Sequence, residues 1–382
     1  MIAFEHISPL YEHPIAAKEP DMVDDMLPCL MSFLTAAFFT AIGLFLVLKA
    51  CYYFKLYDLP DERKIHHTPV PRLGGIVFMP ATILGLCAAL YLLEGSDKHF
   101  VISISTPIMA VGAFIIYLIG LADDRFGMKA SHKFIIQGIS ALFMPLCGLL
   151  ITNLYGILGI YEIPVWVGYP LTVLLIMTII NAINLIDGID GLASGLCILI
   201  LSAYAYLFLN SNYPIIAAAN AAIVGALCTF FCFNFFGKIG GKKIFMGDAG
   251  SLFLGYVCAY MSIKSLMCPI TLTGQDKEEI LVPLTLLFIP VIDVVRVALQ
   301  RYFTNHGIFE PDKTHIHHLF MAAGLSMHQT LLAIIVLFLG LCTINYALWQ
   351  RECPLEIILL IDTIIYVLLA TTILRLDRKS AH

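Results

Sequence analysis

Windows of roughly 20 apolar residues, the length that crosses the hydrocarbon core of a bilayer, recur along nearly the whole chain. They fall near residues 30–50, 75–93, 101–122, 133–152, 168–186, 191–210, 213–236, 250–268, 280–298, 328–349 and 355–375. A chain patterned this way is expected to be an all-α polytopic membrane protein with about 11 transmembrane helices. Residues 29–376 then form one transmembrane domain between an N-terminal tail (1–28) and a short C-terminal tail (377–382). Composition agrees, with 60% hydrophobic and 13% charged residues and a mean hydropathy of +0.89, far from soluble domains.

Orientation follows from the basic residues, which are retained on the cytoplasmic side. With the N-terminus outside, the inner segments hold Lys55, Arg63, Lys64, Arg72, Arg125, Lys129, Lys133, Lys238, Lys242, Lys243, Arg296, Arg301, Lys313, Arg375, Arg378 and Lys379. The outer segments hold only Lys18, Lys98, Lys277 and Arg351. Sixteen against four sets the N-terminus outside and the C-terminus in the cytoplasm. The first 28 residues carry six acids (Glu5, Glu12, Glu19, Asp21, Asp24, Asp25) against one Lys, which suits an exported tail and not a signal peptide.

A net charge of −5, spread over both sides, implies no nucleic-acid partner. The 11 cysteines form no CxxC pair and lie mostly inside apolar windows, so they read as small packing residues. Residues 153–169, with Tyr155, Tyr161, Trp166 and Tyr169, read as an outer loop of the interfacial aromatic belt.

The chemistry sits where apolar windows end on the inner side. Asp123-Asp124 closes the window 101–122. Neighbouring helical residues point about 100° apart, so the two carboxylates are expected to hold different jobs. One could face a reacting phosphate as a base while the other orients a loop or a basic partner; the plain alternative is a solvated helix end. Lys129 and Lys133 suit an anionic substrate, and equally the positive-inside rule. Asn181, Asn184, Asp187 and Asp190 are three residues apart. Asn184 and Asp187 share a half-face, and Gly188 and Gly191 are expected to end the helix and turn Asp190 back. Four polar residues closing an apolar span favour a ligand-binding cluster.

Phe245-Met-Gly-Asp248-Ala-Gly-Ser251 leads into the window 250–268. Glycines there allow close backbone approach, and the helix start is expected to offer free N–H groups to phosphate oxygens. Asp248 could hold Mg²⁺, which shares its coordination with phosphates and water; the plain alternative is an Asp helix cap. His315-Ile-His317-His318 could hydrogen-bond a diphosphate. Zinc is disfavoured because no cysteine or carboxylate stands at ligand spacing. No regular structure presents all three rings together. Asp58 to Gly75, including Arg72, bridges the first two windows and is rich in turn formers and donors.

Taken in order, these motifs resemble the polyprenyl-phosphate N-acetylhexosamine-1-phosphate transferase family (glycosyltransferase family 4). The resemblance runs from about residue 55 to 325 and rests on Pro69-Val-Pro-Arg72-Leu-Gly-Gly75, Asp123-Asp124, Asn181 to Gly191, Phe245 to Ser251 and His315 to His318. It implies ten or eleven transmembrane helices around a cytoplasmic cleft, often as a dimer, in the bacterial cytoplasmic membrane. It also implies transfer of a sugar-1-phosphate from a UDP-N-acetylhexosamine to undecaprenyl phosphate, releasing UMP, with Mg²⁺ (or Mn²⁺ in its place). By motif match Asn184 and Asp248 look like the metal ligands. Asp123 and Asp124 look like the pair that positions or deprotonates the lipid phosphate. Asp187 and Asp190 line the cleft, His315, His317 and His318 are similar to the diphosphate-contacting loop, and Phe245 is a candidate for stacking on uracil. Arg72, Lys129 and Lys133 join it as substrate-binding candidates.

The branch acting on UDP-MurNAc-pentapeptide typically carries three consecutive histidines and then an acid. Here Leu319 and Phe320 follow His318, which favours the branch using UDP-GlcNAc or a related sugar. Gly127 stands where some relatives carry a further acid, so an Asp-Asp-x-x-Asp metal site is absent. A transporter would show broken helices and a repeat between halves. A CDP-alcohol phosphatidyltransferase would need an Arg and two more acids after Asp187-Gly-Ile-Asp190, where Leu192, Ala193 and Ser194 stand.

Overall fold

The computed structural model describes residues 22–58, 70–94, 105–237, 242–268, 278–304, 307 and 314–380. Most of the acidic N-terminal tail, the donors from Arg63 to His67, and Lys18, Lys98, Lys238, Lys277 and Lys313 lie outside the described residues.

Twelve helices occur among the described residues, beginning with α1 (Met22–Phe54), α2 (Phe78–Glu94), α3 (Ser105–Phe126) and α4 (Ala130–Leu146). The middle of the chain gives α5 (Val165–Ile186), α6 (Leu192–Asn210), α7 (Pro214–Phe235) and α8 (Asp248–Ser265). The last are α9 (Glu278–Phe303), α10 (Ile316–Ala322), α11 (Met327–Trp349) and α12 (Leu355–Ser380). Two short antiparallel strands, β1 (Tyr57–Asp58) and β2 (Val70–Pro71), form the only sheet among the described residues. Helices predominate because a helix satisfies its own backbone where no water can.

Nine of these helices are long and apolar enough to cross a membrane: α1, α2, α3, α5, α6, α7, α9, α11 and α12. The chain is therefore an all-α polytopic membrane protein. The two remaining expected windows coincide with α4 and α8. The first has 17 residues; the second has 18 and carries Asp248 and Lys264. α4 stops at Leu146, short of the expected 152, because Pro145 and Gly148 interrupt it. The apolar run from Leu149 to Ile151 hid that stop. At the other end of the chain, α12 continues through residues expected to form the C-terminal tail.

α8 lies at the centre of the bundle. Every residue from Ala249 to Ser265 is buried, and the helix packs on α3, α5, α6 and α9. Its small residues allow this: Gly255 lies against the backbone of Ile180, where a Cβ would meet Cα at 2.6 Å. α1, α2 and α7 pack together on one flank, α6 joins them through α7, and α4 closes the gap between α3 and α5. The first residue of α8 is thus held in the middle of one end of the bundle.

Candidate functional site

The site begins with the turn into α8. Gly247 has φ +74°, and a Cβ there would meet the Arg72 carbonyl oxygen at 2.2 Å and Asp124 Oδ2 at 2.6 Å. Only glycine combines that backbone with so close an approach. The turn makes Asp248 the first residue of the helix. Asp124, at the end of α3, accepts the N–H groups of Asp248 (2.8 Å) and Ala249 (2.9 Å) with its two oxygens. The sequence reading left these donors open to phosphate. The structure corrects that: a buried helix start must satisfy its free N–H groups, and a carboxylate opposes the positive end of the dipole. The Asp124 side chain is fully buried in this role and also faces Arg72 Nε at 3.3 Å.

Around Asp248 four separate motifs converge. Lys133 Nζ lies 2.9 Å from Asp248 Oδ2 and 2.8 Å from Asp123 Oδ2. Asp123 Oδ1 accepts the Met128 N–H at 2.6 Å, which folds the α3–α4 connection back. Asn184 Nδ2 donates to Asp248 Oδ1 (2.7 Å) and Ser251 Oγ (2.8 Å). Arg72 NH2 stands 3.6 Å from Asp248 Oδ2. Asn181 does not join them; it donates to Gln137 Oε1 at 2.8 Å, farther along α5. Lys129 sits exposed at the start of α4, outside this cluster.

Asp187 and Asp190 form the next wall. α5 ends at Ile186, and Gly191 (φ +80°) starts α6. Asn234 clamps this turn, accepting the Gly191 N–H at 2.6 Å and donating to the Ile244 carbonyl at 2.9 Å. Asp190 pairs with Lys243 at 2.6 Å, and the Lys243 ammonium lies 5.2 Å from the Phe245 ring centre, within cation–π range. Phe245 is held by its backbone: its N–H donates to the Pro71 carbonyl, and its carbonyl accepts the Gly74 N–H, both at 2.8 Å. That pairing brings the Arg72 loop to the site.

Charge in the cluster is tightly interlocked. Burial pushes the Asp187 carboxyl well above the usual range, and the neighbouring Asp248, Asp190 and Asp124 carboxylates add to it. Burial would also raise Asp248, but Asp123, Lys133 and Arg72 outweigh it and hold this carboxyl below its ordinary value. Asp248 is the ionised centre of the group.

His315 stands in extended backbone as the cap of α10, with His317 and His318 in the first turn. This junction does what neither regular helix nor strand does: the His315 and His317 rings are nearly parallel (4°) with centres 6.1 Å apart, and His318 lies 4.2 Å from His317. His317 is 1% exposed, and among the described residues neither of its ring nitrogens has a hydrogen-bond partner. Burial pushes its pKa down to about 3, so it is neutral. A Cβ at Gly188 would meet His317 Nε2 at 2.0 Å, which sets the histidine loop directly on the Asp187–Asp190 turn. Sequence reasoning missed Asp293 of α9, whose carboxylate accepts from His315 Nδ1 at 2.8 Å. A lone acid inside the window 280–298 was the available signal. It also missed Asn234, a polar residue near the end of an apolar helix.

Among the described residues, Asp123, Asp124, Asp190 and Asp248 form their ion pairs with Arg72, Lys133 and Lys243. With Asp187 favouring its neutral form, the other four carboxylates against three cations among the described residues still leave an acidic excess that a cation would offset. Among the described residues no group of three or more His, Cys, Asp or Glu is arranged to hold a metal by itself. The fit is therefore to a hard cation taking one or two protein oxygens and completing its shell with phosphates and water. Asp248 and Asn184, in direct contact, are the residues that could hold it.

Residues 106–266, from α3 through α8, match the family described as Glycosyl transferase family 4. That stretch contains all five carboxylates and Asn184. Over 285 residues the chain is 33% identical to a Bacillus subtilis protein called a probable undecaprenyl-phosphate N-acetylglucosaminyl 1-phosphate transferase, covering 72% of this chain and 73% of that one. Over 352 residues it is 29% identical to the undecaprenyl-phosphate alpha-N-acetylglucosaminyl 1-phosphate transferase of Salmonella typhi, covering 89% and 90%. A decaprenyl-phosphate N-acetylglucosaminephosphotransferase of Mycobacterium tuberculosis is 31% identical over 310 residues, covering 75% and 74%.

Proposed function

Because the chain belongs to glycosyl transferase family 4, we propose that it transfers N-acetylglucosamine-1-phosphate from UDP-GlcNAc to undecaprenyl phosphate, releasing UMP. One observation carries the reading: Asn184, Asp248, Lys133 and Asp123, from four different helices, meet in one hydrogen-bonded chain at the head of α8. In the reaction an oxygen of the lipid phosphate attacks the phosphorus that bears the sugar. The bond from that phosphorus to the oxygen bridging it to UMP breaks, and UMP leaves with the electron pair.

The lipid phosphate is already largely ionised near neutral pH, so the difficulty is bringing two anions together. Lys133, Arg72 and Lys243 offset that repulsion, and positioning supplies much of the rest. Asp123 holds the Lys133 ammonium toward Asp248 and can take any residual proton of the lipid phosphate. Asp124 anchors α8 and so fixes where Asp248 points. The Phe245 ring offers a face for the uracil, and the histidine loop supplies ring nitrogens to the diphosphate. Mg²⁺, held by Asp248 and Asn184 and replaceable by Mn²⁺, would neutralise charge on the diphosphate when bound. A cytoplasmic cleft at the inner boundary of an eleven-span bundle suits the reaction, since one reactant is soluble and the other is embedded in the bacterial inner membrane. The use of GlcNAc in place of MurNAc-pentapeptide is supported by His315-Ile-His-His318 and by the relatives' names.

The test is UMP release by the purified protein with undecaprenyl phosphate, Mg²⁺ and a panel of UDP-sugars. UDP-GlcNAc is expected to give the fastest release, and only when the lipid is present. Release from none of the sugars by folded protein would refute the reading.

A further inference from the structure

Asp293 lies inside α9 and is 2% exposed, yet it belongs to none of the motifs above. Its two oxygens are used unequally. Oδ1 accepts from the Ile316 N–H (3.0 Å), the Tyr366 hydroxyl (2.6 Å) and Arg296 NH2 (2.8 Å). Among the hydrogen bonds of the described residues, Oδ2 serves His315 Nδ1 alone. Arg296 in turn donates to the Thr314 carbonyl, just before the histidine loop. The carboxylate is thus fixed by α9, α12 and the start of α10, with one oxygen reserved for the imidazole.

A carboxylate can only accept, so the hydrogen on Nδ1 points at Asp293, which fixes the ring's orientation. Nε2, on the far side of the ring, then points away from α9. It is buried and has no hydrogen-bond partner among the described residues. A buried ring nitrogen left unpaired is costly, and here it belongs to the ring that stacks beside His317, over the Asp187–Asp190 turn.

We propose that Asp293 is a positioning residue: with Nδ1–H held on its carboxylate, the His315 ring in its imidazolium form aims Nε2–H at a phosphoryl oxygen of the bound diphosphate. This rests on the transferase reading above. A carboxylate that orients a histidine in this way acts wholly through that histidine, whereas a simple latch between α9, α10 and α12 would matter whether or not the ring were there.

The experiment is a double-mutant cycle with Asp293→Asn and His315→Ala, alone and together. It is read by steady-state kcat and KM for UDP-GlcNAc, and by single-turnover formation of labelled lipid product to resolve slow variants. Asp293→Asn is expected to lower kcat by about 10–100-fold with KM changed less than about threefold, as when the partner of a functional histidine is lost. In the His315→Ala background the same change is expected to cost less than about twofold. Tyr366→Phe, which removes one donor to Asp293 without altering charge, carries the same cycle if Asp293→Asn does not fold. A loss that persists undiminished without the His315 ring, or Asp293→Asn at wild-type kcat, overturns the proposal. If the wild-type protein turns over and the cycle is additive, only the role of Asp293 fails. If folded wild-type protein releases no UMP, the transferase reading fails and this role falls with it.

Discussion

At the scale of single residues, the adjacent acids Asp123 and Asp124 do different work because successive helical side chains diverge. Asp124 turns inward to the start of α8, and Asp123 turns to Lys133. That division, together with Asp248, makes a contrast in stability. Removing the Asp248 carboxylate leaves Lys133 with Asp123 and Asn184 with Ser251, so each partner keeps an acceptor. Asp248→Ala is therefore expected to abolish UMP release while leaving the melting temperature nearly unchanged. Asp124→Asn removes a charged cap from a buried helix start, and about 0.5–2 kcal/mol of stability should go with it. Thermal unfolding in detergent should show a lower midpoint for Asp124→Asn than for Asp248→Ala. Equal midpoints would mean the cap contributes nothing.

Among the elements, the turn between α5 and α6 and the histidine loop before α11 are pressed together at Gly188. Any side chain there would occupy the place of the His317 ring. Gly188→Ala is expected to cut turnover by at least about tenfold, since small displacements of functional groups are amplified in rate. Adding His317→Ala to Gly188→Ala should restore the thermal stability lost by the single change, although not the activity. A Gly188→Ala enzyme with wild-type kcat would show that the loop is free to move aside. This contact could not be read from the sequence, because it joins segments more than a hundred residues apart whose spacing is set by the packing of α5 and α9. The same holds for the backbone pairing of residues 71–75 with 245–246. Nine of the eleven apolar windows were legible as membrane-length helices because a bilayer demands a fixed length from each helix. The polar motifs were legible because they interrupt that pattern at its ends. Asp293 was not picked out, since it stands alone within an apolar window and its partner lies 22 residues away.

For the whole molecule, the bundle is held by apolar packing around α8, and the charged cluster touches only its end. Removing the divalent cation should therefore separate function from folding. Chelation with EDTA is expected to stop UMP release, with full recovery on adding Mg²⁺ and partial recovery with Mn²⁺. Helical content measured by circular dichroism should stay constant throughout. Loss of helix on chelation would mean that the metal also supports the fold.

One detail at the head of α8 bears on inhibition. With Asp124 seated on the first two amides, the helix is stoppered by a built-in anion, and an incoming phosphate mimic gains no purchase there. An effective blocker would have to engage the Lys133 ammonium, the histidine loop or the Phe245 ring, because the amides that a helix start usually lends to an anion are already taken.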